Sequence, residues 1–243
     1  MTALELIGHT NRAGRAELAG RAGAVQRASD LADAAAAGGA DRLLPVAPEL
    51  HPVLPAGGLR RGSTVVMAGA TSLVFALLAR ASEAGAWSAV VGMPALGALA
   101  AAQAGVVLER LALVPYPGPE WTTVVAALLD GVDIVVIAPP APATARVASR
   151  LAARARQRGS VLMPYGRWEG ADLTLTTDRG VWEGLGAGRG RLLRRELAIT
   201  ARGRGAAGRP SRVRVWLPDD SGRLAAVPAP ARPALTVIRG EAA

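Results

Sequence analysis

The stretch Leu54–Arg80, LPAGGLRRGSTVVMAGATSLVFALLAR, decides how the rest of the chain is read. Ser63–Ala68 is rich in β-branched and apolar residues and too short for a helix, which predicts a buried strand. Gly69-Ala70 breaks that strand. Thr71 or Ser72 can then cap an amphipathic helix whose apolar positions are Leu73, Phe75, Leu77 and Leu78. The sum is a Gly-rich turn, a strand, a sharp turn and a helix.

A phosphate-binding loop of NTPases occupies such a strand–turn–helix corner. There GxxxxGK[ST] wraps backbone amides around the phosphates and its lysine reaches the β/γ oxygens. Counting from Gly69, the second glycine falls on Val74 and the lysine on Phe75. No other register restores the motif, because all 28 basic residues are Arg. Coding drift from Lys to Arg explains a lysine-free composition, but not an aromatic ring where a phosphate must sit. The scaffold is therefore expected without its chemistry, at the degenerate position Gly69, Ala70, Thr71 and Ser72.

Outward from this corner, the chain reads as alternating strands and helices. Strands are predicted at Trp87–Val91, Leu111–Val114, Asp133–Ala138 and Val161–Met163. Helices are predicted at Leu73–Ala84, Leu96–Leu108, Trp121–Leu129 and Ala143–Arg158. Short connections between such units imply a parallel sheet with helices on both faces. DIVVIA (133–138) is the most hydrophobic strand and is expected at the centre. From Asp172 the pattern changes. DLTLTT, RLLRRELAITARG and SRVRVWLP are strand-like with no helices between them. Glycines punctuate the gaps, and an antiparallel meander on the sheet edge is expected. Ala16–Ala37 reads as a helix in an N-terminal arm, and the Pro/Ala-rich residues 228–243 as a tail. The domain reading is thus 1–44 arm and connector, 45–227 core, 228–243 tail.

The 243 residues carry a formal charge of +9, which favours an anionic partner such as nucleic acid, or reflects only an Arg-rich composition. With no Cys there is neither a disulfide nor a thiolate metal site, and His9 and His51 alone do not make a zinc centre. The N-terminus lacks the pattern of a secretory signal. Gly62–Ala79 and Ala84–Leu108 are uncharged and long enough to span a bilayer, but Gly, Ser, Gln and Pro94 interrupt them. They parse as strand-plus-helix units of a cytoplasmic α/β core without a membrane role.

The order of these features resembles the RecA core over about Pro45–Val227. More closely, RLLPVAP, LPAGGLRRG, GATSL, VWEGLGAGRGRL and RVRVWLP resemble the ImuA-prime family, RecA-like accessory proteins of the actinobacterial damage-induced mutasome. The resemblance implies an α/β, RecA-like core with a mostly parallel sheet flanked by helices, a C-terminal antiparallel meander and an N-terminal helical arm. It also locates the other ATPase positions. The Asp that positions Mg²⁺ at the end of the second-motif strand is replaced by Ala138, and Asp133 lies at the wrong end of that strand. The catalytic Glu position falls on Pro94 or its neighbours, with no carboxylate between Glu83 and Glu109. Lysine, aspartate and glutamate are all missing, so a pseudo-ATPase with no cofactor, no metal and no catalytic residue is expected.

The remaining chemistry is arginine. Arg146, Arg150, Arg154 and Arg158 recur every four residues and form one helix stripe. With Arg167 they are candidate DNA contacts, or else a solvated face. Trp168, Trp182 and Trp216 suit either base stacking or packing. In the tail, Leu235, Val237 and Ile238 form an apolar group that suits a partner contact or a strap on the core. Three functions compete on this reading. The resemblance implies a non-catalytic adaptor in SOS-induced translesion synthesis. Its partners would be an ImuB-like inactive Y-family homologue and, indirectly, an error-prone C-family polymerase and the sliding clamp, with the nucleoid as its site after damage. A DNA-binding RecA paralogue that modulates recombinase filaments, with weak non-specific binding of single strands, is the alternative. The third is an enzyme with an unconventional nucleotide site, against which the missing residues weigh.

Overall fold

The computed structural model describes residues 42–186, 189–204 and 208–228. The predicted arm helix and Leu235, Val237 and Ile238 lie outside them. Two compact units, Met1–Leu44 and Pro45–Ala243, divide the chain, and the second carries the core. In order, the elements are β1 (Leu43–Pro45), β2 (Gly58–Arg60), β3 (Val65–Ala68), α1 (Ser72–Glu83), β4 (Ser88–Val91), α2 (Ala98–Gln103), β5 (Leu111–Val114), α3 (Trp121–Gly131), β6 (Ile134–Ile137), α4 (Ala145–Arg158), β7 (Val161–Pro164), β8 (Leu173–Thr177), β9 (Val181–Gly186), β10 (Arg189–Gly203), β11 (Ser211–Trp216) and β12 (Ala225–Ala226).

Strands β5-β4-β6-β7 are all parallel, with Ser88 opposite both Leu111 and Ile134, and Ile134 opposite Val161. Parallel bridges Thr64–Leu162 and Met67–Tyr165 seat β3 beside β7, and β3 pairs in parallel with β8 from Val65–Leu173 to Ala68–Thr176. Six parallel strands are followed by antiparallel β10, β11 and β12, so the continuous order is β5-β4-β6-β7-β3-β8-β10-β11-β12. Right-handed crossovers put α1 and α2 on one face and α3 and α4 on the other. The packing agrees. The Ser82 hydroxyl on α1 accepts from the Val107 amide just past α2 at 3.1 Å. On the opposite face Trp121, Val125 and Leu129 of α3 and Leu151 and Ala155 of α4 enclose Val135 and Ile137. All four β6 side chains are fully buried, each contributing about 1.5–3 kcal/mol by that burial.

Several expectations are corrected. DIVVIA is interior, between β4 and β7, but β3 holds the middle of the sheet, because the antiparallel strands extend it on one side only. The helix expected over 96–108 shrinks to Ala98–Gln103. Alanines give it little to bury, and the Val106 amide bonds back to the Ala101 carbonyl at 3.0 Å, closing it over Gly105. Leu173–Thr177 opens the antiparallel meander through its pairing with β10, and it is also the last parallel strand, beside β3. The glycine-punctuated gap before Arg189 contains a strand, β9, which forms a hairpin with β10. Among the described residues, no helix is long and apolar enough to cross a membrane.

Candidate functional site

The C-terminal ends of β3, β4, β6, β7 and β8 converge on one side of the sheet, where α/β proteins place their ligands. The corner after β3 is three residues long, Gly69–Thr71, before α1 begins at Ser72. That turn is shorter than a GxxxxGK[ST] loop, which has four residues between its two glycines alone. Gly69 has φ of +105°, and a Cβ there would overlap the Thr177 hydroxyl and carbonyl at the end of β8. Glycine is therefore required for the close approach of two strand ends.

Several polar groups at the corner are bonded within the protein. The Ala70 amide donates to Thr177 Oγ1 at 2.7 Å. The Leu73 amide donates to the Ala70 carbonyl at 3.1 Å, and the Val74 amide to the Thr71 carbonyl at 3.0 Å. The Tyr165 hydroxyl, from the turn after β7, donates to the Gly69 carbonyl. Thr71 stands at the N-cap, but its side chain makes no capping bond. Ser72 is bonded instead from across the sheet: Arg195 of β10 donates from Nη2 to its hydroxyl at 2.7 Å. Arg195 Nε donates to the Leu217 carbonyl at 3.1 Å, and the guanidinium lies 5.1 Å from the Trp182 ring centre. Burial pushes this guanidinium below its ordinary pKa, and Asp178 opposes the shift.

Ala138, in the second-motif position, follows β6 and donates its amide to the Val91 carbonyl at 3.0 Å. Pro94 is exposed in the turn after β4. Asp133 sits at the opposite end of β6, where its Oδ1 accepts from Arg61 at 2.6 Å and its Oδ2 from the Trp87 amide at 2.8 Å. It is a fastener between strand starts. No cluster of three or more His, Cys, Asp or Glu that could hold a metal occurs among the described residues.

The arginine stripe is real in geometry but divided in electrostatics. Asp130, near the end of α3, accepts from Arg154 Nε at 2.8 Å and from Arg158 Nε at 3.0 Å. The Arg154 hydrogen bond, first among the causes, holds the Asp130 carboxyl below its usual range. Among the described residues no carboxylate pairs with Arg146, Arg150 or Arg167, all of which are exposed. A groove of about 640 Å³ between α3 and α4 is lined by Asp130, Arg150 and Arg154. Of the tryptophans, Trp168 packs against the α3–α4 core and Trp216 is buried, with the Arg194 guanidinium 4.2 Å from its ring centre. Trp182 is partly exposed beneath Arg195. Sequence reasoning did not single out Tyr165, Thr177, Arg195 or Asp130. Each acts on a residue at least 24 positions away, and no local pattern marks them.

The comparisons with known proteins agree with this architecture. The family model described as the MT3502 N-terminal domain matches residues 52–170. Rv3395c of Mycobacterium tuberculosis, itself described as an uncharacterized protein, is 39% identical over 127 residues. That alignment takes in 51% of this chain and 62% of the relative, so the chain spans less than two thirds of the relative's length. The crystal structure of the RadB recombinase superposes with a TM-score of 0.56 at 14% identity, covering 74% of this chain and 97% of that one. The fold is RecA-like.

Proposed function

We propose that this protein is a RecA-like adaptor that neither binds nor hydrolyses ATP. One observation carries the reading: the phosphate-loop corner is three residues long, its Ala70 amide is bonded to Thr177, and the Leu73 and Val74 amides in the first turn of α1 are bonded to the Ala70 and Thr71 carbonyls. Residues suited to Mg-ATP are missing there. Neither lysine nor carboxylate stands at the three motif positions, and Arg195 supplies the only side-chain cation bonded to Ser72 among the described residues. Calorimetric titration with ATP and Mg²⁺ tests this, with no heat of binding expected. Saturable binding tighter than about the millimolar range would overturn it.

The resemblance to the ImuA-prime family extends the proposal to SOS-induced translesion synthesis. The adaptor would hold an ImuB-like inactive Y-family homologue, and through it support an error-prone C-family polymerase and the sliding clamp. It would work in the cytoplasm and join the nucleoid on damage. Co-purification from damaged cells, followed by mass spectrometry, tests this part.

A second reading is a DNA-binding RecA paralogue that modulates recombinase filaments. The exposed Arg146, Arg150 and Arg167 without carboxylate partners favour it, as does the likeness to a recombinase. Binding of single-stranded DNA by the purified protein without a partner separates the two.

A further inference from the structure

Beyond the corner and the arginine stripe, the largest exposed apolar group among the described residues sits on the β9–β10 hairpin. Val181 is 68% exposed and Leu185 62%, and Trp182, Leu192 and Leu193 are exposed beside them. This hairpin is a two-stranded ribbon that leaves the sheet. Glu196 pairs with Val181 on one side and Trp216 on the other, so β9 and β11 flank β10. Below that point β11 has ended. Among the described residues no strand pairs with β10 over 189–194 on the β11 side, and none pairs with the outer edge of β9. The ribbon is held in shape by its own sequence. Gly184 has φ of +110°, and a Cβ there would overlap the Arg191 carbonyl at the irregularity between Gly190 and Arg194. Free strand edges of this kind are normally blunted or covered.

We propose that the outer edge of β9 takes an extended, acidic segment of a partner protein as an added strand, apolar at alternate positions. Backbone groups of Val181–Leu185 would supply the pairing, and Val181 and Leu185 the apolar contact. Charge decides the occupant. Residues 179–195 carry five Arg against Glu183, a net of +4. Glu183 is engaged by Arg194 at 2.8 Å, while Arg179, Arg189 and Arg191 are exposed and pair with no carboxylate among the described residues. A second copy of the ribbon would bring like charge against like. Nucleic acid would meet Val and Leu side chains and one indole whose ring already lies against Arg195. An acidic strand satisfies the edge, the apolar strip and the arginines together. This inference does not depend on the nucleotide reading.

The test uses the full chain and a fluorescein-labelled peptide of about ten residues in which Glu alternates with Leu or Val. The same peptide with Lys for Glu, and a single-stranded oligonucleotide, serve as the other arms. The acidic peptide should bind at least about tenfold tighter than the lysine peptide. Binding should fall about tenfold or more in Val181→Ser/Leu185→Ser and, independently, in Arg189→Glu/Arg191→Glu at two exposed positions, whose melting temperature should be unchanged. Hydrogen exchange at the Val181–Leu185 amides should slow on binding. Absence of peptide binding, equal binding of the lysine peptide, or affinity unchanged in the arginine variant would each overturn the proposal. So would an oligonucleotide that binds through the ribbon, or a ribbon-dependent dimer in light scattering.

Discussion

Arg195 donates from Nη2 to the Ser72 hydroxyl at 2.7 Å, across 123 positions of sequence. One guanidinium thus joins β10, the first residue of α1 and, through the Leu217 carbonyl, the chain leaving β11. In a nucleotide-binding relative of this architecture the start of that helix faces the phosphates. Here it is latched to the protein's own sheet. Arg195→Met keeps much of the side-chain volume and removes both bonds. It should lower stability by about 1–3 kcal/mol in urea denaturation, because the part-buried Ser72 hydroxyl and Leu217 carbonyl lose their donor. It should not create ATP binding, since the corner stays three residues long with its Ala70 amide bonded to Thr177. Unchanged stability would show the latch to be passive.

Gly69 is the second point of closure. Its positive φ and its proximity to Thr177 leave no room for a Cβ. Gly69→Ala should destabilise the fold by about 1–3 kcal/mol or more, read as a lower melting temperature. A phosphate loop that had merely lost its lysine would tolerate the change, having open space above it. An alanine variant as stable as the parent would therefore contradict the closed geometry.

The parallel half of the fold was legible because its signals are local. Strands β3, β4 and β6 are short β-branched or apolar runs, and α1 and α4 have apolar residues at helical spacing. Ribbon strand β9 was not, since Gly180, Gly184 and Gly186 interrupt its alternation and read as turn signals. Glycine at 184 serves an irregular pairing that only the partner strand reveals. The loss of the phosphate-loop motif was visible at Val74 and Phe75, whereas what closes the corner was not. Thr177, Tyr165 and Arg195 reach it through pairings that a sequence pattern does not encode. The arginine stripe was legible as spacing, but Asp130, which engages half of it, sits on the preceding helix.

That division predicts unequal roles along the stripe. Arg146 and Arg150 are free among the described residues to meet phosphates, while Arg154 and Arg158 are held by Asp130. If the chain binds single-stranded DNA, Arg146→Ala/Arg150→Ala should lower the salt slope by about 0.7 per lost contact, and Arg154→Ala/Arg158→Ala by less. Anisotropy over a salt series measures both. Equal slopes for the parent and the first pair would reduce the stripe to a solvated face.

Asp130→Asn should act in the opposite sense, releasing Arg154 and Arg158 and raising any DNA affinity at neutral pH. Its effect on stability has a defined sign. The folded pKa of Asp130 is lowered, so its stabilising contribution is fully present above the unfolded carboxylate pKa and is lost as pH falls through the lowered folded value. Denaturation midpoints of the parent and the variant should differ by a constant amount near neutrality and converge in acid, below the usual carboxylate range. A gap that persists there would mean that the variant acts through packing instead.

The final prediction separates two places where a protein partner can be held. Leu235, Val237 and Ile238 follow Pro228, Pro230 and Pro233, and Leu-Thr-Val-Ile has strand character. An adaptor needs an apolar element that a partner can reach. The β9 edge offers a second such element, with exposed Val181 and Leu185. Deleting residues 228–243 should leave a folded protein that no longer co-purifies with an ImuB-like partner, while binding of the acidic peptide at β9 persists. A truncated protein that melts several degrees lower would make the tail a strap on the core, since a ~1 kcal/mol loss shifts the midpoint by a few degrees in a chain of this size. A truncated protein that keeps the partner but loses it on Arg189→Glu/Arg191→Glu would move the interface to the ribbon.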